Sequence, residues 1–142
     1  MISLLTAGLR IAGVGLLLLA LLHIPIGRHL GWREERTRMT AANGAIFHVH
    51  MVFICLVLVA MALPCLLDPR ALLERSRAAL WGTWMLSAFW SFRLYCQWCI
   101  YPRSLWQGKK LETMIHWIFS AVWTSLALLF GLCGLVQVGW IR

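Results

Sequence analysis

Four long apolar stretches constrain this chain more than any other feature of its sequence. They run from about Ile2 to Ile24, Ala45 to Leu67, Ala79 to Tyr101 and Leu111 to Ile141. A helix needs about 20 apolar residues to cross the hydrocarbon core of a bilayer. Backbone groups in lipid must be satisfied within the helix, and short connections favour antiparallel neighbours. The sequence therefore predicts an all-α integral membrane protein, an up-down bundle of four transmembrane helices in one domain over residues 1–142.

The composition supports this class. Hydrophobic residues make up 61% of the chain and charged residues only 13%, which leaves too little polar surface for a soluble domain of 142 residues. The net charge of +8 could indicate nucleic acid. The basic residues lie mainly in the short connections, however, where they are typical of topology signals and of contacts with anionic lipid. We therefore expect the lipid bilayer as a partner and no nucleic acid.

Loop charge predicts the orientation. The first and third loops share one side and carry seven basic residues: Arg28, Arg33, Arg36, Arg38, Arg103, Lys109 and Lys110. The opposite side carries four: Arg70, Arg75, Arg77 and Arg142. The positive-inside rule then places both termini outside, in a bacterial inner membrane. The first stretch is expected to be a retained span rather than a signal peptide, because Arg10 lies inside it and no A-x-A-like site follows.

Ionisable residues near the span ends predict a site. His23 lies near the end of the first span, His50 near the start of the second, Arg93 near the end of the third and His116 near the start of the fourth. In an up-down bundle these positions share one side and a similar depth, and such residues usually face the interior. His48 and His50 point about 200° apart on a helix. The deeper His50 is the expected interior residue, while His48 faces headgroups or a partner.

Neutral imidazole is the commonest metal ligand among side chains. The predicted ligands of a transition metal, or of a haem b held by two of them, are His23, His50 and His116. Arg93, Gln97 and Tyr101 are four residues apart and form one helical stripe, which we expect to contact the cofactor. The leading hypothesis is a small membrane protein that binds a metal or haem for electron transfer.

Several other functions fit the sequence. Cys96 and Cys99 form a C-x-x-C pair, which could act as a thiol–quinone oxidoreductase. Chain size and this pair resemble the quinone-coupled disulfide-generating membrane proteins, but the loops lack the second cysteine pair that those enzymes need. Buried cysteines usually serve as small apolar residues. The small size also fits a non-catalytic accessory subunit of a membrane complex. A fourth idea is a pocket for an anionic lipid or phosphate, formed by Arg93, the histidines and loop arginines. No motif of a hydrolase or nucleotide-binding enzyme is present.

Overall fold

The computed structural model describes residues 1–141, so Arg142, which was counted in the loop charges, lies outside the described residues. The elements are α1 (Ile2–His29), α2 (Trp32–Thr37), α3 (Ala41–Leu67), a 3₁₀ turn (Ala71–Leu73), α4 (Arg77–Tyr95), a π-helical turn (Cys96–Ile100), a second 3₁₀ turn (Arg103–Leu105) and α5 (Lys110–Gln137). Residues 1–141 contain no strand. The prediction of an all-helical chain is confirmed.

Three helices, α1, α3 and α5, are long and apolar enough to cross a membrane. The third predicted span is also a helix, the 19-residue α4 with its π-helical turn, but it is not among those three. Tryptophan, serine, threonine and Arg93 lower its mean hydropathy. The membrane prediction therefore rests on three helices rather than four.

Proline and capping residues shift the helix ends from their predicted positions. α1 runs through Pro25 to His29, because a proline inside a membrane helix removes one backbone donor without ending the helix. α3 begins four residues before the predicted Ala45. The reason is a cap: Thr40 Oγ1 accepts a hydrogen bond from Asn43 N at 3.3 Å.

The connection between α1 and α3 contains the short helix α2. Gly31 makes the turn out of α1 at a φ of 65°, a left-handed conformation that favours glycine. α2 follows at once. It ends near an exposed ion pair in which Arg38 Nη1 lies 3.4 Å from Glu35 Oε1.

The chain forms two compact units, residues 7–69 and residues 1–6 with residue 70 onwards. In the second unit, α4 and α5 pack closely at small residues. Ser87 Oγ donates to Ala127 O at 2.8 Å. A Cβ on Gly134 would lie 2.9 Å from the Trp84 ring, so glycine is what allows this close approach.

In residues 7–69, α1 and α3 pack side by side and antiparallel. A Cβ on Gly13 would lie 2.7 Å from Leu66 Cγ, near the end of α3. Farther along α1, Ala20 O accepts a hydrogen bond from Cys55 Sγ at 3.8 Å. Residues later in α1 thus contact residues earlier in α3. This antiparallel arrangement is expected of neighbouring helices joined by a short connection.

Candidate functional site

Three polar side chains of α4, the π-helical turn and α5 form one hydrogen-bonded series, which we call the polar row: Arg93, Gln97 and His116. Arg93 Nη1 donates to Gln97 Oε1 at 3.3 Å. Gln97 Nε2 lies 2.9 Å from His116 Nδ1. Gln97 and His116 are buried, with 7% and 4% of their surfaces exposed. The polar row therefore links a charged side chain to a buried imidazole.

This geometry fixes the tautomer of His116. An amide nitrogen can only donate, so Nδ1 of the imidazole must accept the hydrogen bond from Gln97. The neutral ring then carries its proton on Nε2. Nε2 is buried and has no hydrogen-bond partner among the described residues. His116 therefore presents an unused N–H donor.

A π-helical turn places Gln97 in the polar row. Tyr101 N donates to Cys96 O at 3.2 Å, five residues back, where an α-helix would bond four residues back. Gln97 is the buried residue of this turn. Such turns are rare and occur frequently at functional sites. Pro102 follows and cannot continue the helix.

Two indoles enclose the imidazole of His116. Trp106 stacks on it, with ring centroids 4.0 Å apart and an interplanar angle of 14°. Trp98 meets it edge-on at 4.8 Å. Trp106 is held in turn by a backbone contact, because Thr113 Oγ1 donates to Trp106 O at 2.6 Å. These contacts hold the plane of the imidazole, and thus the direction of its N–H.

Arg93 is half-buried and has no carboxylate partner within residues 1–141. Its guanidinium carbon lies 5.0 Å from the ring centroid of Trp123 and 5.5 Å from that of Tyr101. The only ion pair within residues 1–141 is that between Arg38 and Glu35. Aromatic faces and the Gln97 oxygen are therefore what stabilise the charge of Arg93.

Two further donors beside the polar row are unused. Trp90 Nε1 and Trp123 Nε1 are buried, and like His116 Nε2 they have no partner in the described part of the chain. Trp90 and Trp123 stack at 5.0 Å, so both lie close to Arg93. A buried donor left unpaired costs about 1–3 kcal/mol. The region thus offers three N–H groups without an acceptor among residues 1–141, together with a positive charge.

The other two predicted metal ligands lie in residues 7–69 and have the opposite tautomer. His23 Nδ1 donates to Leu19 O at 2.7 Å, and His50 Nδ1 donates to Ile46 O at 2.8 Å. A carbonyl can only accept, so the proton is on Nδ1 in both neutral rings. Each Nε2 then carries a lone pair and no proton. An imidazole nitrogen in this form can bind a metal.

Within that unit, His48 and His50 are both exposed on α3. His48 precedes Cys55 by seven residues, close to two turns, so both lie on the side of α3 that contacts α1. The expectation that His50 faces the interior, while His48 faces headgroups or a partner, stays a prediction.

The remaining candidates are the cysteines and the three-histidine site. Cys96 and Cys99 are free thiols on the π-helical turn; Cys96 is half-buried and Cys99 exposed. Within either unit of residues 1–141, no three His, Cys, Asp or Glu side chains gather closely enough to hold a metal ion. The three-histidine metal site stays a prediction.

The structure brings four of the predicted site residues together: Arg93, Gln97, Tyr101 and His116. Sequence reasoning did not assign the surrounding tryptophans to the site: Trp90, Trp98, Trp106 and Trp123. The helical period offered one signal. Trp123 follows His116 by seven residues and therefore shares its face of α5.

No protein-family model, no curated protein and no solved structure matches this chain. A functional conclusion therefore rests on the chemistry of the site.

Proposed function

We propose that this chain is an integral membrane protein that binds a quinone-class cofactor beside the polar row and takes part in electron transfer. One observation carries the proposal: the buried Nε2–H of His116 has no acceptor. A quinone carbonyl oxygen accepts hydrogen bonds, its planar ring suits a site lined with indoles, and it dissolves in the bilayer. A bound quinone supplies two-electron, two-proton redox chemistry.

The polar row supports this ligand class in two ways. Gln97 holds His116 as a neutral ring whose Nε2 donates, which suits a carbonyl and not a metal ion. Arg93 places a positive charge two hydrogen bonds away, which favours an electron-rich oxygen at that donor. Both effects are strengthened by burial, because the local dielectric is low.

The proposal includes four membrane-spanning helices, with α4 as the fourth. α4 packs along α5, which is itself long and apolar enough to cross a membrane. Arg93, the charged residue in the last turn of α4, contacts the aromatic rings of Tyr101 and Trp123. A single domain in a bacterial inner membrane with external termini stays a prediction from loop charge.

A haem b or a transition metal at His23 and His50 is the second candidate. Its support is their tautomer, because Nε2 is a lone pair in both rings. His116, the predicted third ligand, could bind a metal through Nε2 only if the Gln97 side-chain amide rotated and accepted from Nδ1. That rotation would place the NH₂ group of Gln97 against Arg93. A purified protein with no Soret band and no stoichiometric metal would remove this candidate.

The cysteine pair is the electron donor that this proposal offers for the site. Cys96 and Cys99 lie on the same turn as Gln97, and both are free. Two thiols could give two electrons and two protons to a quinone, which would leave a disulfide and a quinol. Unchanged quinone reduction in Cys96→Ser would exclude this route. The accessory-subunit hypothesis is tested by native electrophoresis, where a lone monomer would count against it.

The main test is the quinone content of the protein. We expect protein purified in mild detergent to release a quinone on solvent extraction, detected by chromatography, and to bind added naphthoquinone saturably. His116→Phe keeps an apolar ring but loses the donor, so binding should weaken about tenfold or more. Wild-type protein that contains no quinone and binds none would overturn the proposal.

A further inference from the structure

A second site lies in residues 7–69, away from the polar row in sequence. It is a pocket of about 490 Å³ formed by the end of α1, by α2 and by the start of α3. Its lining residues, which define the basic pocket, are Gly27, Arg28, Trp32, Arg33, Glu34, Arg36, Phe47, His48 and Met51.

The charge of the basic pocket is unbalanced. Three arginines line it, Arg28, Arg33 and Arg36, against the single carboxylate of Glu34. None of these four side chains forms an ion pair within residues 1–141. With His48 neutral, the lining carries a net charge of 3 − 1 = +2. Such a lining attracts an anion that can accept from several guanidinium groups at once.

The lining of the basic pocket also has an apolar part, whose rings are in contact. Trp32 meets Phe47 edge-on, with ring centroids 5.9 Å apart, and Met51 continues the apolar surface one turn farther into α3. A Cβ on Gly27 would lie 2.8 Å from the Trp32 ring, so glycine lets the indole lie against α1. A small hydrated anion would make no favourable contact with this apolar surface.

The position of the basic pocket favours an anionic lipid over a small soluble anion. It lies where α1 ends and α3 begins, and both helices are long enough to cross a membrane. With α1 and α3 spanning a bilayer, their ends lie at the level of the lipid headgroups, where basic pockets between helices bind acidic lipids. We infer that the basic pocket binds an anionic phospholipid, with its phosphate at Arg28, Arg33 and Arg36 and its acyl chains along Trp32, Phe47 and Met51.

The experiment measures lipid retention. The full chain is purified in detergent with equal amounts of phosphatidylglycerol and phosphatidylcholine, and bound lipid is quantified by mass spectrometry. The test variant is Arg28→Gln combined with Arg33→Gln. The matched control is Arg38→Gln, because Arg38 lies just after α2, is 76% exposed and does not line the basic pocket.

We expect wild type and control to retain phosphatidylglycerol in preference to phosphatidylcholine. Each arginine removed should lower that preference about fivefold. Equal retention of both lipids by the wild type would overturn the inference, whatever the variants do. Unchanged preference in the double variant would also overturn it, provided that circular dichroism and gel filtration show a folded protein.

A phosphate arm distinguishes the source of the anion. Excess inorganic phosphate is added to wild-type protein that holds phosphatidylglycerol, with chloride at equal ionic strength as the control. Lipid that stays bound supports the inference. Lipid released by phosphate and not by chloride would show a site for the free anion and would overturn the assignment to a lipid.

Discussion

The α4–α5 region and the α1–α3 region both carry histidines that the sequence places at one depth, and the structure gives them opposite chemistry. His116 is buried, accepts at Nδ1 and presents an N–H at Nε2. His23 and His50 donate from Nδ1 and present a lone pair at Nε2. Residue type and depth are therefore poor guides to function by themselves, because the hydrogen-bond partner decides which atom each ring offers.

The difference has a structural origin. His23 and His50 donate to the carbonyl four residues back in their own helices, a bond that any helical histidine can make. The partner of His116 is a side chain from another element, and that side chain is oriented in turn by Arg93. The tautomer of His116 is imposed by tertiary structure, so changes to the polar row should affect it while leaving α1 and α3 unaffected.

The largest effect should come from Gln97→Leu. The change removes both hydrogen bonds of the polar row, so the Arg93 guanidinium loses its Gln97 acceptor and Nδ1 of His116 loses its donor. The free energy of unfolding should fall by about 2–4 kcal/mol. Thermal unfolding in detergent measures it. The matched control is Gln107→Leu at an exposed loop position, which should have little effect. Equal losses in both variants would contradict the role of the polar row.

The next effect concerns Arg93. In Arg93→Met the Gln97 amide loses its donor and becomes free to turn, so the His116 proton is no longer confined to Nε2. Quinone binding should weaken about fivefold, while Arg93→Lys should restore most of it, because an ammonium can also donate to Gln97. Isothermal titration with a naphthoquinone measures this. If the lysine variant binds as weakly as the methionine variant, Arg93 does not act through Gln97.

A smaller effect tests the packing that holds the polar row in place. A Cβ at Gly134 meets the rigid Trp84 ring at 2.9 Å, whereas at Gly82 it meets nothing within 4 Å. Gly134→Ala should destabilise the fold by about 1–3 kcal/mol through overpacking. Gly82→Ala should stabilise it by about 0.5–1 kcal/mol, because alanine favours the helix. Unfolding temperatures in detergent compare the two, and equal signs would show that α4 and α5 do not meet closely at Gly134.

The smallest effect is expected for His50→Phe. Its ring bonds only to its own helix and is exposed, so quinone binding and stability should stay close to those of the wild type. Any Soret band of the purified protein should be lost in this variant if His50 is a haem ligand. An equal loss of quinone affinity in His50→Phe and His116→Phe would contradict the proposed difference in function between the two regions.

Much of the fold follows from the sequence, and less of the site does. Apolar runs predict the long helices, and the four-residue spacing of Arg93 and Gln97 predicts their shared stripe. The π-helical turn could not be predicted, because it depends on how Cys96–Ile100 pack against α5. Depth along the helix does not separate His48 from His50, because both side chains are exposed in the folded chain. Tautomers depend on partners that only the folded chain brings together.

The positions of the imidazole protons test the difference between the two regions most directly. Nitrogen-15 NMR of histidine-labelled protein in nanodiscs, at mildly alkaline pH where imidazoles are neutral, identifies the protonated nitrogen in each ring. The His→Phe variants assign the signals. We expect the proton on Nε2 in His116 and on Nδ1 in His23 and His50. A proton on Nδ1 of His116 would contradict the account, because its Nε2 would then be a lone pair like theirs.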